Sequence, residues 1–275
     1  MPNWVMTKVI IEGEKKDIEK IKETVKGNNS IFSFQRIKPM PQEMMVEHMG
    51  SGDTDGQLLI YITEKFTKTL DELNPDDKEL LNRNLFLYNS LDEKYKNRKE
   101  IFTKTDAKRQ EEDYKFGEQK YKNIKKYGAA DWYPWSINNW GTKWDCNNAR
   151  LITENENELI YEFETAWSVA AEALAALSEQ FPKVTISVLY ADEDIGSNCG
   201  MFQIKDSCEI FEWFPEDEHH ESHIYAQNVW GYDPDGIIFD AEEYWEYDEN
   251  QIKELQKDLN NFNKNIPQIV IDYMW

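Results

Sequence analysis

Three features of this sequence predict an α+β fold, built on a mostly antiparallel sheet and interrupted by a helical insertion. Short β-branched runs alternate with amphipathic helical runs near both ends of the chain. A mixed-charge stretch of helical periodicity separates them. Negative charge then collects behind that stretch. In a chain of formal net charge −22, residues 127–275 hold 7 Lys+Arg against 30 Asp+Glu, whereas the first 126 residues sum to +1.

Residues 5–12 are β-branched and stop at Gly13, which predicts a first strand. Ile18, Ile21 and Val25 then recur at helical spacing within residues 14–26, with Gly27 placed to cap the C-terminus. Residues 31–39 return as extended chain, closed by Pro39 and Pro41. Residues 50–56, GSGDTDG, read as a flexible loop. Residues 1–63 are therefore expected to form a first β-α-β half. Residues 64–126 carry 16 basic and 14 acidic residues, with Leu80, Leu81, Leu85, Leu87 and Leu91 near helical spacing. They read as a helical insertion with a solvated, mixed-charge face, and so small an excess of positive charge gives no reason to expect nucleic-acid binding.

Residues 127–275 are expected to complete the domain. Helical spacing sets Trp132, Trp135 and Trp140 toward one side of an element that Gly141 ends. Residues 158–164 alternate as a half-buried strand, and Ser168 is placed to cap an apolar helix over 169–180. Residues 184–190 form a strand, and 201–204 with 208–214 a hairpin turning at 205–207. Residues 215–249 read as irregular or edge-like. Ile252, Leu255, Leu259, Phe262 and Ile266 step along a closing helix, and 268–273 read as a last short strand. The order β-α-β, insertion, β-α-β-hairpin is that of a split ferredoxin-like sandwich with helices on one face.

Composition narrows the function classes. A chain of 275 residues can bury a sizeable core, and 13% aromatic content with ten Trp argues against disorder despite 31% charged residues. Its apolar runs fall far short of the ~20 residues of a membrane span. The N-terminus, MPNWVMTKVIIEG, has no signal-peptide pattern, so a cytoplasmic protein is expected. Cys146, Cys199 and Cys208 are odd in number and lack CxxC spacing, which indicates neither a disulfide framework nor a thiolate zinc site.

No catalytic motif is evident. GSGDTDG lacks the Gly-Lys-Ser/Thr ending of a phosphate loop, and Asp233-Pro-Asp-Gly is foremost a turn. His219, His220 and His223 lie in an acidic segment with little apolar material to build a dry metal shell. No catalytic residue, metal or cofactor is assigned.

Four segments carry a resemblance: MPNW at the start, IFSFQRIKPMP at 31–41, DWYPWSINNWGTKWD at 131–145 and FETAWS at 163–168. Together they resemble the YubB-like family of ferredoxin-like proteins, carried mainly by bacteriophages, prophages and plasmids and without an assigned activity. Related sequences tend to have prolines after the TAWS element, where this chain has Val169 and Ala170. The resemblance implies the fold and a mobile-element origin, and it supplies no site residue. The acidic segment 215–249 has no counterpart in it.

That acidic, aromatic-rich tract carries the functional expectation. Glu209, Glu212, Glu216, Asp217, Glu218, Glu221, Glu242, Glu243, Glu246, Asp248 and Glu249, with Trp245 as an aromatic anchor, form a candidate partner-binding surface. A duplex carries one charge per ~1.7 Å of axis, and a dense row of carboxylates imitates it. The expected partner is a basic, nucleic-acid-handling host protein, such as a defence nuclease or a CRISPR effector, which this chain would bind and inhibit without catalysis. Neither direct nucleic-acid binding nor a membrane is expected. The alternative is an enzyme or small-ligand-binding protein whose pocket is lined by Trp132, Trp135, Trp140 and Trp144.

Overall fold

The computed structural model describes residues 2–46, 51–84, 90–215, 220–231, 236 and 247–274. In chain order these form β1 (Trp4–Glu12), α1 (Lys15–Val25), α2 (Phe34–Ile37), α3 (Ser51–Ile62), α4 (Pro75–Asn84), α5 (Leu91–Lys104), α6 (Ala107–Tyr127) and α7 (Trp132–Trp140). Then follow β2 (Asn147–Glu154), β3 (Glu158–Ala166), α8 (Ala171–Gln180), β4 (Thr185–Asp192), β5 (Gly200–Lys205), β6 (Cys208–Trp213), α9 (Glu221–Val229), α10 (Glu249–Asn265) and α11 (Gln268–Met274). Two compact units divide the chain: residues 1–39 with 139–275, and residues 40–138.

The first unit is built on a sheet of order β2-β3-β1-β4-β5-β6, in which every neighbouring pair is antiparallel. The four strands β2-β3-β1-β4, with α1 after β1 and α8 after β3, are two interleaved βαβ units, the ferredoxin-like arrangement. The β5-β6 hairpin extends it at the β4 edge. It turns at Asp206 and Ser207, both at positive φ (52° and 58°), as a tight two-residue hairpin turn requires.

Strand alternation sets the two faces. Val5, Val9 and Ile11 share one face with Tyr161, Phe163 and Val188, and α1 and α8 serve that face. Ile10, Leu189, Ala191 and Met201 point the other way, where they join Ile224 and Tyr225 of α9, Leu255 and Phe262 of α10 and Val270 of α11 in one apolar cluster. The C-terminal helices thus add a layer on the second face of the sheet.

Several elements differ from expectation, each for a physical reason. Residues 31–39 are no strand, because β1 is already paired on both edges, by β3 and β4. Instead Phe32 packs its ring 5.0 Å from Tyr161 and from Phe163, and Asp145 starts α2 by accepting hydrogen bonds from Phe34 N (2.6 Å) and Ser33 Oγ (2.5 Å). The second strand of the first βαβ unit is β2, whose polar sequence NNARLITE gave no strand signal. Ser168 does not cap α8, for Ala170 holds the N-cap position and the Ser168 hydroxyl donates to Gly141 O. Lys26, in extended conformation, stands at the end of α1 in place of a glycine cap. Within the tract expected to be irregular, Glu221–Val229 is helix α9. Residues 268–274 are helix α11, begun by Pro267, whose carbonyl accepts from Val270 N.

In the second unit, residues 51–56 form the first turns of α3 rather than a loop. The side chains of Asp53, Thr54 and Asp55 find partners inside the unit. Asp55 pairs with Lys94, and Asp53 lies 3.5 Å from Arg98. Lys120, fully buried on α6, donates to Thr54 Oγ1 and Gln57 Oε1 at 2.9 Å and lies 3.6 Å from the buried Asp131. Gln57 in turn donates to Asp113 at 3.1 Å. Burial lowers the pKa of Lys120 and the Asp131 carboxylate opposes the shift. Gly117 on α6 faces α3 so closely that a Cβ there would sit 2.0 Å from Gln57 O. Leu58, Leu59, Ile62, Leu81 and Ile124 supply the apolar core.

Candidate functional site: tryptophans and a lysine at one end of the sheet

Trp4 pairs with Ala166, Val5 with Asp192 and Tyr190 with Gly200, so β1 begins, β3 and β4 end, and β5 begins at one end of the sheet. Two loops meet there. Gly141, at φ +83°, ends α7, and this left-handed turn is what favours glycine there. Thr142 Oγ1 donates to Ala166 O at 3.0 Å, Ser168 Oγ to Gly141 O at 2.5 Å, and Thr165 Oγ1 to Ser168 O at 2.8 Å. The first two bonds lace residues 141–144 to residues 165–168, and the third is local to the second loop.

Lacing the loops places Trp144 and Trp167 side by side, ring centroids 6.2 Å apart and planes inclined by 28°. Trp4 flanks Trp144 at 6.2 Å. The Lys143 ammonium lies 4.7 Å from the Trp144 ring centre and 4.4 Å from that of Trp167, within cation–π range of both. Trp144 is 38% exposed and Trp167 42%.

Trp167 stands at φ +67°, in the left-handed region that disfavours a bulky side chain. It is held there from both sides: its N–H donates to Asn3 O (2.9 Å), and its carbonyl accepts from Asn198 Nδ2 (3.3 Å). The Asp192 carboxylate ties the support together, accepting from Asn3 Nδ2, Asn198 Nδ2 and Asp194 N. Trp230 Nε1 donates to Asp192 O, and Glu193 N to Trp4 O. Glu193 and Asp194 are exposed beside them. A left-handed tryptophan is less stable by ~1–2 kcal/mol than one in an ordinary conformation. Leaving two-fifths of an indole in water forgoes on the order of 2 kcal/mol more. Strain of this kind gathers where a surface is shaped for binding.

Burial raises the pKa of the half-buried Cys146 thiol, with Asp145 adding to the effect, and that thiol bonds to Phe32 O. The Tyr225 hydroxyl, buried, is likewise raised and donates to Gly200 O at 2.6 Å. Among the described residues no group of three or more His, Cys, Asp and Glu could hold a metal ion. His220 instead meets Asp258, Nδ1 to Oδ2, at 3.0 Å. His219 and residues 233–235 lie outside the described residues.

Of the four tryptophans expected to line a pocket, only Trp144 belongs to this exposed surface. Trp140 is buried, its Nε1 donating to Lys38 O at 2.9 Å and its ring 6.2 Å from Phe34. Trp135 is buried and Trp132 half-buried against Tyr133. Trp4 and Trp167 were not singled out. The available signal was their place in MPNW and FETAWS, the same segments that carry the family resemblance. Among the acidic residues, Glu209 and Glu212 are exposed on β6. Asp248 and Glu249 are exposed at the start of α10, where the Asp248 carboxylate caps the helix by accepting from Asn250 N and Gln251 N. Glu221 is buried in the first turn of α9. Glu216, Asp217, Glu218, Glu242, Glu243, Trp245 and Glu246 lie outside the described residues.

Strand order and helix placement define a ferredoxin-like α+β domain with an added hairpin and added helices. Residues 139–234 match the family model described as the ferredoxin-like domain in Api92-like protein. Among solved structures, the protein Api92 from Yersinia pseudotuberculosis is similar at 10% identity over 78% of this chain and 99% of that one, with a TM-score of 0.36. No curated protein matches this chain. No helix among the described residues is long and apolar enough to cross a membrane.

Proposed function

We propose that this protein is a non-catalytic accessory protein of a mobile genetic element. It binds and inhibits a basic, nucleic-acid-handling protein in the cytoplasm of its bacterial host, such as a defence nuclease or a CRISPR effector. The observation that carries this reading lies on β6. Glu209 and Glu212 are exposed there, and Ile210 and Phe214 beside them stand 54% and 52% exposed. Among the described residues the ladder of β6 runs to β5 alone, with a register shift at Gln203/Ile204.

Exposed apolar side chains set among carboxylates are suited to a partner that is both basic and able to bury them. Apolar burial then supplies affinity, and charge supplies steering and selectivity. The excess of carboxylates over cations after residue 127 favours a positively charged surface and disfavours nucleic acid itself. Burial pushes the Tyr190 hydroxyl up to about 12, and Cys199, Glu212 and Glu209 add to it, which agrees with negative charge gathered on this part of the sheet.

The test is affinity capture from host lysate at low and high salt, run in parallel with wild type and a Glu209→Lys/Glu212→Lys double variant, with captured proteins identified by mass spectrometry. A basic nucleic-acid-binding protein retained by wild type at low salt, and lost both at high salt and with the variant, is the expected result. Equal retention by the variant would remove β6 from the interface. Capture of neutral or acidic proteins alone would end the reading.

A further inference from the structure

We infer that Trp144 and Trp167 form a receptor for a cationic side chain of a partner polypeptide, best filled by an arginine, and that Lys143 holds its place in the free protein. The inference takes the basic character of the partner from the reading above, whereas the site itself stands on its own geometry.

Four observations converge. The two indoles are nearly parallel, adjacent and each about two-fifths exposed. One of them is held at positive φ by hydrogen bonds on both sides of its residue, so its exposure is built in. An ammonium already lies within 4.7 Å of both ring centres, which shows directly what kind of group the two faces accept. Exposed Glu193 and Asp194 follow Asp192, whose carboxylate braces the same end of the sheet, and they add negative potential there.

A guanidinium suits this surface better than the resident ammonium. It is planar, it stacks on an indole face, and it is more weakly hydrated, so less hydration is lost on binding. Its N–H groups can also bond a carboxylate in a bidentate fork while its face remains on the ring. A nucleotide would bring phosphate into a region already rich in carboxylates. A neutral sugar could stack on the rings but would gain nothing from the local field.

The test uses the full chain and an acetylated, amidated Gly-Arg-Gly-Arg-Gly peptide, with binding followed through the indole N–H signals in NMR. The controls are the same peptide with citrulline for arginine, cellotetraose, and an eight-residue oligothymidylate. The arginine peptide should bind and the citrulline peptide should not. Trp167→Gly should weaken binding by about tenfold or more, by the scale of a desolvated cation–π contact. Glycine accepts the backbone angle at 167, so this variant should remain folded, and Trp144→Ala provides a second readout.

Lys143→Ala gives the sharpest sign. If Lys143 is the resident competitor, its removal should tighten the peptide by about threefold or more. A lysine with a merely structural role would weaken binding or leave it unchanged, and either result would overturn the inference. So would unchanged binding in both tryptophan variants, or binding of the sugar or the oligothymidylate in place of the arginine peptide. The Glu209→Lys/Glu212→Lys variant should bind the peptide within about twofold at physiological salt, where exposed charges are screened over ~8 Å. Peptide binding that depends on Trp167 would therefore stand even if the partner reading failed, and the reverse holds as well.

Discussion

Trp140 ends α7 just before one of two loops that are bonded to one another, and Trp167 lies in the other, yet the fold uses them in opposite ways. Trp140 is buried, satisfied at its indole nitrogen by Lys38 O and packed near Phe34. Trp140→Ala should therefore lower stability by ~3–5 kcal/mol, measured by urea unfolding, because it deletes a large buried side chain and orphans a carbonyl acceptor. Trp167→Gly should leave stability within ~1 kcal/mol of wild type, since relief of the left-handed strain offsets the packing of a half-exposed ring. A loss as large as that of Trp140→Ala would identify Trp167 as core and not as surface. The sequence shows the concentration of tryptophans but not this division of labour. Which indole faces water depends on a positive φ at 167 and on Thr142 and Ser168 tying two loops together, none of which has a periodic signature.

Elements whose apolar residues keep strict spacing were legible: β1, α1, β3, α8, β4 and α10 fall close to their expected places. Misreadings occurred where tertiary partners overrode local preference. The segment SGDTDG has the composition of a loop, yet Asp53, Thr54 and Asp55 each meet a charged partner within the helical unit. Residues 31–39 read as extended chain, but no sheet edge remains for them beside β1. The helical unit offers a direct check on the helix reading of α3. Gly117→Ala would drive a Cβ to 2.0 Å from Gln57 O, a backbone atom that cannot swing aside, so α3 and α6 must separate. Overpacking of this kind is expected to destabilise the unit by ~1–3 kcal/mol. Hydrogen exchange should then accelerate across residues 51–62 and 107–127 while β1, β3 and β4 stay protected. Unchanged exchange in α3 would mean that the two helices are not packed through Gly117.

Over the whole molecule, two kinds of electrostatic stress operate, and salt separates them. A net charge of −22 repels itself through water, so at neutral pH stability should rise with NaCl as the screening length falls from ~30 Å at 0.01 M to ~3 Å at 1 M. Buried phenols respond differently. Burial pushes Tyr161 and Tyr190 up to about 12, whereas the unfolded chain ionises tyrosine near 10. Between those values the native state holds protons that the unfolded chain has released. The stability these tyrosines contribute is therefore complete below pH 10 and is lost as pH rises through 12. Lys8 and Lys120 have the opposite sign: burial lowers both, so their penalty fades as pH approaches 10.5, where the native phenols are still protonated. The expected outcome is a protein that holds its fold to about pH 10 and then unfolds over the next two units, with phenolate absorbance rising in the same step. The cause is burial more than repulsion, so 1 M NaCl should delay that step little, although it stabilises the protein at pH 7. If high salt instead kept the chain folded through pH 12, self-repulsion of the acidic half would be the dominant stress at alkaline pH. A basic partner would then act on stability as salt does, by neutralising that half.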